Sequence, residues 1–222
     1  MKKTPTAASA LAARPRGRPR SFDREVALGA AMEVFWKKGY EATSIHDLTE
    51  AMGINPPSLY AAFGDKEQLY LAAVEHYQAW RREKVGSILE EEPTARGAIE
   101  RLLTEYATEL TRPCHPAGCM LAMSAACSSA SADAQEALAE RRSMARRRLK
   151  ERIDRGLREG DVPAGTDAGA LADFYTTIVV GMAMRAKDGA TRRTLLDAIG
   201  MAMRAWPAAP ARAAAKKKLA RV

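Results

Sequence analysis

The sequence predicts an all-α fold. Apolar residues recur every three or four positions along most of the chain, whereas no stretch shows the sustained apolar and polar alternation of a strand. Aromatic residues make up 6% of the chain, a low share for a β protein. Glycines and prolines stand between the helical stretches, where they end one helix and precede the next.

The first helical stretches are bounded by clear end signals. The pattern begins at Ser21, and a glycine, which tolerates the backbone angles of a helix end, closes each of the first three stretches. Side chains that can accept hydrogen bonds from the N–H groups of a helix start precede the next three. The closing glycines are Gly39, Gly53 and Gly64, and the candidate caps are Thr43 or Ser44, then Asn55, then Asp65.

The later helices are predicted to be longer. One runs from about Lys66 into the high eighties, and five more lie near residues 94–111, 118–128, 132–159, 167–187 and 191–206. With 222 residues the chain is long enough to bury a substantial hydrophobic core.

The net charge of +8 is concentrated in two tails. Residues 1–20 and residues 207–222 are rich in Lys and Arg and contain no acid, whereas the part between them is net negative. Residues 1–20 also lack the bulky apolar side chains that would offset the entropy cost of ordering. They are therefore predicted to form a flexible basic arm, and residues 207–222 a basic tail without a patterned helix.

Composition and motifs also limit where in the cell the protein is expected and which reactions it could catalyse. Three cysteines and no apolar leader segment argue against a disulfide framework, and the longest apolar run, Ile178 to Met184, is far shorter than the roughly 20 residues of a membrane helix. A cytoplasmic location without membrane attachment is expected. No glycine-rich phosphate loop, nucleophile elbow, HExxH motif or structural zinc spacing occurs, so no enzyme activity, cofactor or metal is predicted.

Residues 43–63 have the pattern of a helix-turn-helix, in which two short helices are joined by a tight turn. Gly53 suits the turn because glycine accepts unusual backbone angles. The second helix leaves the small polar side chains of Asn55 and Ser58 at the end that enters a major groove in proteins of this kind. The motif predicts a protein that binds double-stranded DNA.

Residues 18–70 contain an ordered series of short pieces around the helix-turn-helix. These are Phe35, Gly39-Tyr40, Thr43-Ser44-Ile45, Gly53-Ile54-Asn55, Leu59-Tyr60, Phe63 and Lys66-Glu67. In these pieces the segment resembles the DNA-binding domain of TetR-type transcriptional regulators. Two departures stand out, Ala62 where the family usually has His or an aromatic residue, and Thr49 where it usually has Ala. A weaker resemblance to a subset of these regulators extends to GCMLAMSAA (118–126) and RAWP (204–207).

The resemblance implies a set of DNA contacts. Thr43 and Tyr60 would give hydroxyl groups to phosphates, and Lys66 would pair with another phosphate. Residues near the base edges would be Asn55, Pro57 and Ser58, and Ser44 completes the predicted contact set.

The basic arm is predicted to add to this surface. Residues 21–66 carry a net charge of about −3, which is unfavourable for a polyanion, so other cations are needed. We expect Arg16, Arg18 and Arg20 to contact phosphates or the minor groove; alternatively the arm is only a solvated tail.

The resemblance also implies a homodimer on a palindromic operator, joined through the last two helices, and a pocket for a small-molecule effector between the middle helices. Aromatic and methionine side chains are common in such pockets, although each of them is also an ordinary core residue. The candidate lining residues are Trp80, Tyr106, Met120, Met123, Phe174 and Tyr175.

The cysteines allow a second hypothesis. Arg112 and His115 lie close to Cys114 in sequence, where a positive charge would favour a reactive thiolate. Cys114, Cys119 and Cys127 could thus sense oxidants or electrophiles; alternatively Cys119 and Cys127 are small buried apolar residues.

The sequence as a whole predicts a ligand-responsive dimeric repressor. A thiol-based sensor on the same scaffold, or a non-specific architectural DNA-binding protein suggested by the two basic tails, are the alternatives. The predicted organisation is an arm (1–20), a helix-turn-helix domain (21–66), an effector-binding and dimerisation domain (67–206) and a tail (207–222).

Overall fold

The computed structural model of the chain describes residues 22–126 and 129–208. Within them the chain forms ten α-helices, one 3-10 turn (Ser124–Ala126) and no strand, which confirms the all-α prediction. The predicted arm and nearly all of the predicted tail lie outside these residues. The helices are α1 (Arg24–Lys38), α2 (Ile45–Met52), α3 (Pro56–Phe63), α4 (Lys66–Val85), α5 (Ile88–Glu91), α6 (Ala95–Leu110), α7 (Met120–Met123), α8 (Ala132–Glu159), α9 (Ala168–Lys187) and α10 (Arg192–Arg204).

Helices α2, α3 and α4 begin where the capping signals predict. Of the two candidates before α2, Ser44 is the cap, because its hydroxyl accepts a hydrogen bond from the N–H of Asp47 at 3.1 Å. The carboxylate of Asp47 in turn accepts from the N–H of Ser44 at 2.9 Å. Asn55 and Asp65 each accept from a first-turn N–H at 2.8 Å. Local side-chain chemistry therefore fixes these three helix starts.

The helix predicted to reach the high eighties ends instead at Val85, and the short helix α5 follows. At this break the guanidinium of Arg148, on α8, donates a hydrogen bond to the carbonyl oxygen of Gly86 at 3.1 Å. A contact between residues so far apart in sequence has no local signal, so the helical pattern alone could not predict the break.

The helix predicted near residues 118–128 is reduced to one turn, α7, and the 3-10 turn after it. Gly118 has a positive φ of 87°, so a helix cannot begin before Cys119. Further along, the hydroxyl of Ser124 donates to a backbone carbonyl at 2.7 Å, a local bond that competes with helical pairing.

The helices enclose two hydrophobic cores. The first is built on α1 to α4 and includes Phe35, Leu48 and Leu59, and the second is built on α5, α6, α8, α9 and α10. Met120 on α7 and Leu138 on α8 pack into the first core, although they follow the DNA-binding segment by many residues. The two halves of the molecule are thus joined by packing as well as by the chain of α4.

None of the helices formed by residues 22–126 and 129–208 combines the length and the apolar character that a membrane span requires.

Candidate DNA-binding surface and effector cavity

Helices α2 and α3 form a tight helix-turn-helix. Gly53 occupies the left-handed region (φ 65°, ψ 30°), and the N–H of Ile54 donates to the carbonyl of Thr49 at 3.1 Å, which closes the turn. Leu48 and Leu59 are fully buried between the two helices and α1 and α4. This packing fixes which face of α3 points outward.

The outward face of α3 carries residues predicted to meet DNA. Asn55, Pro57 and Tyr60 are exposed, and the Tyr60 side chain is 50% exposed although it is large and aromatic. Ser58 is half-buried, and Ser44 is exposed at the start of α2. Both Asn55 and Ser44 use their side-chain oxygens as helix caps, which holds their polar groups in fixed positions.

Lys66 and Thr43, two predicted phosphate contacts, are engaged by other residues of the protein. The ammonium of Lys66 lies 4.3 Å from the ring centre of Tyr40, a cation–π contact that orients it. Thr43 is only 2% exposed, and its hydroxyl donates to the carbonyl of Gly39 at 2.6 Å. A phosphate contact by this hydroxyl would require that hydrogen bond to break.

The two departures from the family pattern are accommodated. The hydroxyl of Thr49 donates to the carbonyl of His46 at 3.1 Å, so its polar group is satisfied although the residue is buried. Ala62 is half-buried against the first core.

A charge pair locks α2 against the end of α1. The Lys38 ammonium donates to the Asp47 carboxylate at 2.6 Å. This hydrogen bond has the largest effect on the Asp47 carboxylate, and hydrogen bonds from the backbone and the hydroxyl of Ser44 add to it. Together they hold the pKa of Asp47 well below its usual range.

The lowered pKa of Asp47 predicts acid sensitivity of this unit. A group whose pKa is lower when folded stabilises the fold above its unfolded pKa of about 3.9, and this contribution is lost as the pH falls below that value. Asp47→Asn should therefore lower Tm at neutral pH, and the deficit should narrow below about pH 4. Thermal unfolding followed by circular dichroism across pH tests this. Glu50→Gln, which removes an exposed carboxylate of the same helix, is the control; a deficit that stays constant with pH would contradict the prediction.

The chain enters α1 beside the end of α3. The rings of Phe22 and Phe63 have centres 6.5 Å apart, and the guanidinium of Arg24 lies 4.7 Å from the centre of the Phe63 ring. The arginines predicted to assist DNA binding, Arg16, Arg18 and Arg20, lie outside the described residues. Their point of attachment to the folded protein is therefore next to the helix that carries Tyr60.

The DNA-binding half is fastened to the start of α8 by two carboxylates. Glu41 accepts hydrogen bonds from the backbone N–H of Ser129, at 2.8 Å, and from its hydroxyl. Glu67, in the first turn of α4, accepts two from Ser131, both at 2.7 Å. Because Ser131 is also the N-cap of α8, the beginnings of α4 and α8 are tied together.

An aromatic cluster forms a second link between the two halves. The ring of His115 stacks on that of Trp36 at 4.6 Å and meets that of Trp80 edge-on at 5.4 Å. The indole N–H of Trp36 donates to the carbonyl of Gly118 at 3.2 Å. His115 Nε2 lies 3.7 Å from a carboxylate oxygen of Glu109, and both side chains are buried. Trp80, predicted as a pocket residue, belongs to this cluster.

Arg81 lies next to this cluster, and among the described residues it has no acidic partner. Its guanidinium donates to the hydroxyl of Tyr77 at 2.9 Å and sits 4.2 Å from the ring centre of Tyr106. Burial alone would lower the pKa of Arg81, but the facing oxygens of Tyr77 and Tyr106 and the thiol of Cys119 raise it. Burial raises the pKa of Tyr77 well above its usual value. Arg81 therefore keeps its positive charge inside the protein.

A cavity of about 100 Å³ lies between α4, α5, α6, α8 and α9. Its wall is largely aliphatic, with one tyrosine, one threonine and one arginine. The lining residues are Val85, Gly86, Leu89, Leu102, Tyr106, Ala145, Arg148, Leu149, Thr176 and Val179.

Of the six residues predicted to line an effector pocket, the structure places Tyr106 at this cavity. Tyr175 is fully buried, and its hydroxyl donates to the carbonyl of Ala202 at 3.3 Å, so it joins α9 to α10. Phe174 is 38% exposed on the surface of α9. Met120 is buried in the first core and Met123 is half-buried nearby.

The sequence does not predict the polar lining residues Arg148 and Thr176. Arg148 stands among the many charged residues of α8, and Thr176 is one of two adjacent threonines in the mostly apolar α9, so no sequence signal assigns either of them to a cavity. Aromatic and methionine content marks hydrophobic core and pocket alike.

Two of the three candidate thiols can be placed, and they differ in exposure. Cys114 is exposed in the loop after α6, and Cys119 is half-buried where the two cores meet, close enough to Tyr77 and Arg81 for electrostatic contact. Cys127 lies outside the described residues.

Comparisons with known proteins agree with this architecture. The profile of bacterial regulatory proteins of the tetR family matches residues 27–73, and that of the tetracyclin repressor-like C-terminal domain matches residues 95–213. The HTH-type transcriptional repressor ComR of Escherichia coli (strain K12) is 36% identical over 194 residues, which cover 86% of this chain and 92% of ComR. The repressor BdcR of the same organism is 37% identical over 105 residues, 47% of this chain and 53% of BdcR.

A solved structure resembles the whole fold. A cysteine variant of the TetR family regulator CifR, in complex with a 26-base-pair operator duplex, superposes with a TM-score of 0.81 at 41% identity, covering 86% of this chain and 100% of that one. Both halves of the chain are thus matched in sequence, and their arrangement is matched in space. The chain belongs to the tetR family of bacterial regulatory proteins and is a transcriptional regulator rather than an enzyme.

Proposed function

We propose that the protein acts in the cytoplasm as a homodimeric repressor that binds a palindromic operator and leaves it when a small molecule fills the cavity described above. The observation that carries this proposal is the helix-turn-helix, whose two helices are locked by buried leucines so that Asn55, Pro57 and Tyr60 face outward. The related CifR variant bound to operator DNA supports the same use of this surface.

Footprinting of the purified protein on DNA upstream of its own gene and of neighbouring genes tests the proposal. The experiment is run at fixed salt with excess non-specific competitor DNA, because phosphate contacts alone give salt-dependent binding everywhere. A short, symmetric protected site is expected. Binding without a preferred site would instead support the architectural alternative suggested by the basic tails.

An exposed apolar face supports the homodimer. Val180 and Met184 on α9 and Met201 on α10 are large apolar side chains that remain well exposed. A side chain added at Gly181 or Gly200 would meet nothing within 4 Å in the part of the chain that the structure describes. Glycines with empty space beside exposed apolar residues suit the close approach of a second helix pair. We therefore assign α9 and α10 to the dimer interface.

The contacts between the two halves suggest how the effector acts. Val85 at the end of α4 and Leu149 on α8 both line the cavity, while the starts of these two helices are tied together by Glu67 and Ser131. Lys66, a predicted phosphate contact, is the first residue of α4. A ligand that moves α4 relative to α8 would thus reposition the DNA-binding unit and lower operator affinity.

The basic arm gives a separate prediction. Replacing Arg16, Arg18 and Arg20 by glutamine should weaken operator binding and reduce the slope of log K against log salt by about 0.9 for each lost phosphate contact. Fluorescence anisotropy at several salt concentrations measures this slope. Deletion of residues 209–222, which carry comparable positive charge, is the control and should leave the slope unchanged. An unchanged slope in the arginine variant would contradict a DNA role for the arm.

A thiol sensor remains the second candidate, and Cys119 is the residue that favours it. This thiol lies at the meeting point of the two cores with the cation of Arg81 facing it, so modification there would disturb the link between the halves. If the protein senses thiol modification, N-ethylmaleimide should release the wild type and the Cys114→Ser variant from the operator but not the Cys119→Ser variant. Release of all three, or of none, would argue against this candidate.

A further inference from the structure

The cavity contains a hydroxyl group that has no hydrogen-bond partner among the described residues. Threonines inside helices usually donate to the carbonyl four residues earlier, as Thr104, Thr108 and Thr177 do in this chain. Thr176 is an exception, because its hydroxyl oxygen is shielded from solvent and makes no hydrogen bond to any residue of the described ranges. A buried hydroxyl without a partner costs free energy, and a ligand that accepts or donates a hydrogen bond there removes this cost.

The lining of the cavity also includes a cation, that of Arg148, which is exposed to solvent. Arg148 makes one hydrogen bond, to the carbonyl of Gly86, and within residues 22–126 and 129–208 no carboxylate lies at ion-pair distance from it. Its neighbours on α8 differ: Arg146 pairs with Asp173, and Arg147 pairs with Glu140. The guanidinium of Arg148 has five N–H donors, so several stay available to a ligand.

The wall of the cavity favours an anion over a cation. None of its lining residues is acidic. A second guanidinium, that of Arg81, lies 4.2 Å from the ring centre of the lining residue Tyr106, and it too has no acidic partner within the described residues. Positive charge beside an apolar space raises the affinity for a negative group and disfavours an ammonium ion.

The size of the cavity limits the ligand. Its volume of about 100 Å³ is smaller than the roughly 150 Å³ of a cavity known to hold benzene, so the apolar part of a ligand that fits inside has about four carbon atoms.

From these observations we propose that the effector is a compact monocarboxylate, a short branched or small cyclic apolar body whose carboxylate accepts hydrogen bonds from Arg148 and Thr176. A carboxylate supplies two acceptor oxygens, and the aliphatic wall formed by Leu102, Leu149 and Val179 covers the body. This inference rests on the proposed function, because it assigns a ligand class to the effector site of that repressor.

The test uses matched pairs of probes on the full-length protein. Isobutyrate and cyclobutanecarboxylate are compared with isobutyramide and cyclobutanecarboxamide, which have the same shape but no charge. Binding is measured by calorimetry and by the rise in Tm, and operator release is measured by anisotropy with sodium chloride added to equal ionic strength. At least one carboxylate should bind, raise Tm and release the operator, with an affinity at least about tenfold above that of its amide.

Variants at the two donors locate the binding. Arg148→Met and Thr176→Val should each weaken carboxylate binding by about tenfold or more, and Arg148→Met should also erase the preference over the amide. Arg147→Met and Thr177→Val, which alter neighbours that already have partners, are the controls and should bind as the wild type does.

Two results would overturn the inference. One is that no carboxylate binds, or that amides bind equally well, while the protein still binds its operator. The other is that Arg148→Met and Thr176→Val bind carboxylates as the controls do. If the protein binds no operator at all, the proposed function fails instead, and direct calorimetry still decides whether the cavity takes carboxylates.

Discussion

Replacing Asn55 by aspartate should lower operator affinity by about a hundredfold or more while leaving Tm unchanged or slightly higher. Operator affinity falls without a loss of stability because aspartate caps a helix as well as asparagine does and interacts favourably with the helix dipole. The new carboxylate stands at the exposed start of α3, where it would face the phosphates and base edges of DNA. Like charges then oppose binding in both half-sites.

A matched variant shows whether position or charge is responsible. Thr94 is the N-cap of α6, accepting from the N–H of Gly97 at 3.1 Å, and it lies in the other half of the molecule. Thr94→Asp therefore adds the same charge to the same kind of helix start without approaching DNA. Anisotropy and thermal unfolding are measured for both variants. If Asn55→Asp binds the operator like the wild type, α3 does not present its N-terminus to DNA.

Replacing Met184 by glutamate should convert the dimer into a monomer and reduce operator affinity by about a hundredfold or more, because two linked half-sites bind far more tightly than one. The Met184 side chain is 46% exposed on α9, and a dimer through this face would bury it. A buried carboxylate without a partner costs several kcal/mol in each protomer, which is about what holds a modest interface together.

Met144 provides the control for this variant. It is 49% exposed, so it matches Met184 in residue type and exposure, but it lies on α8, which is not one of the two helices assigned to the interface. Met144→Glu should remain a dimer in sedimentation experiments and should bind the operator normally. A monomer from Met144→Glu and a dimer from Met184→Glu would place the interface on α8 instead.

The parts of this molecule that the sequence predicted depend on local chemistry. Ser44, Asn55 and Asp65 could be identified as caps because a cap interacts with N–H groups only two or three residues away. The periodicity of apolar residues predicted α8 with the same bounds that the structure has, since a long helix with one buried face leaves a strong pattern.

The parts that the sequence did not predict depend on contacts between distant residues. The break after Val85 involves the hydrogen bond from Arg148 to Gly86, and the position of the cavity depends on how five helices meet. Trp80 illustrates the limit for side chains. A tryptophan in a helical pattern is equally compatible with a pocket wall and with a packed core. Only the contacts of its ring with those of His115 and Trp36 show that Trp80 belongs to a packed cluster.

The bonds from Glu41 to Ser129 and from Glu67 to Ser131 have a consequence for building chimeric regulators. A biosensor is often designed by joining the DNA-reading segment of one regulator to the sensing segment of another at a single point in the sequence. In this protein a graft at residue 66 would keep Glu67 with Ser131, because both lie in the sensing segment, but it would separate Glu41 from Ser129. The graft must therefore also supply a donor to Glu41, or the DNA-reading segment loses one of its two ties to the start of α8.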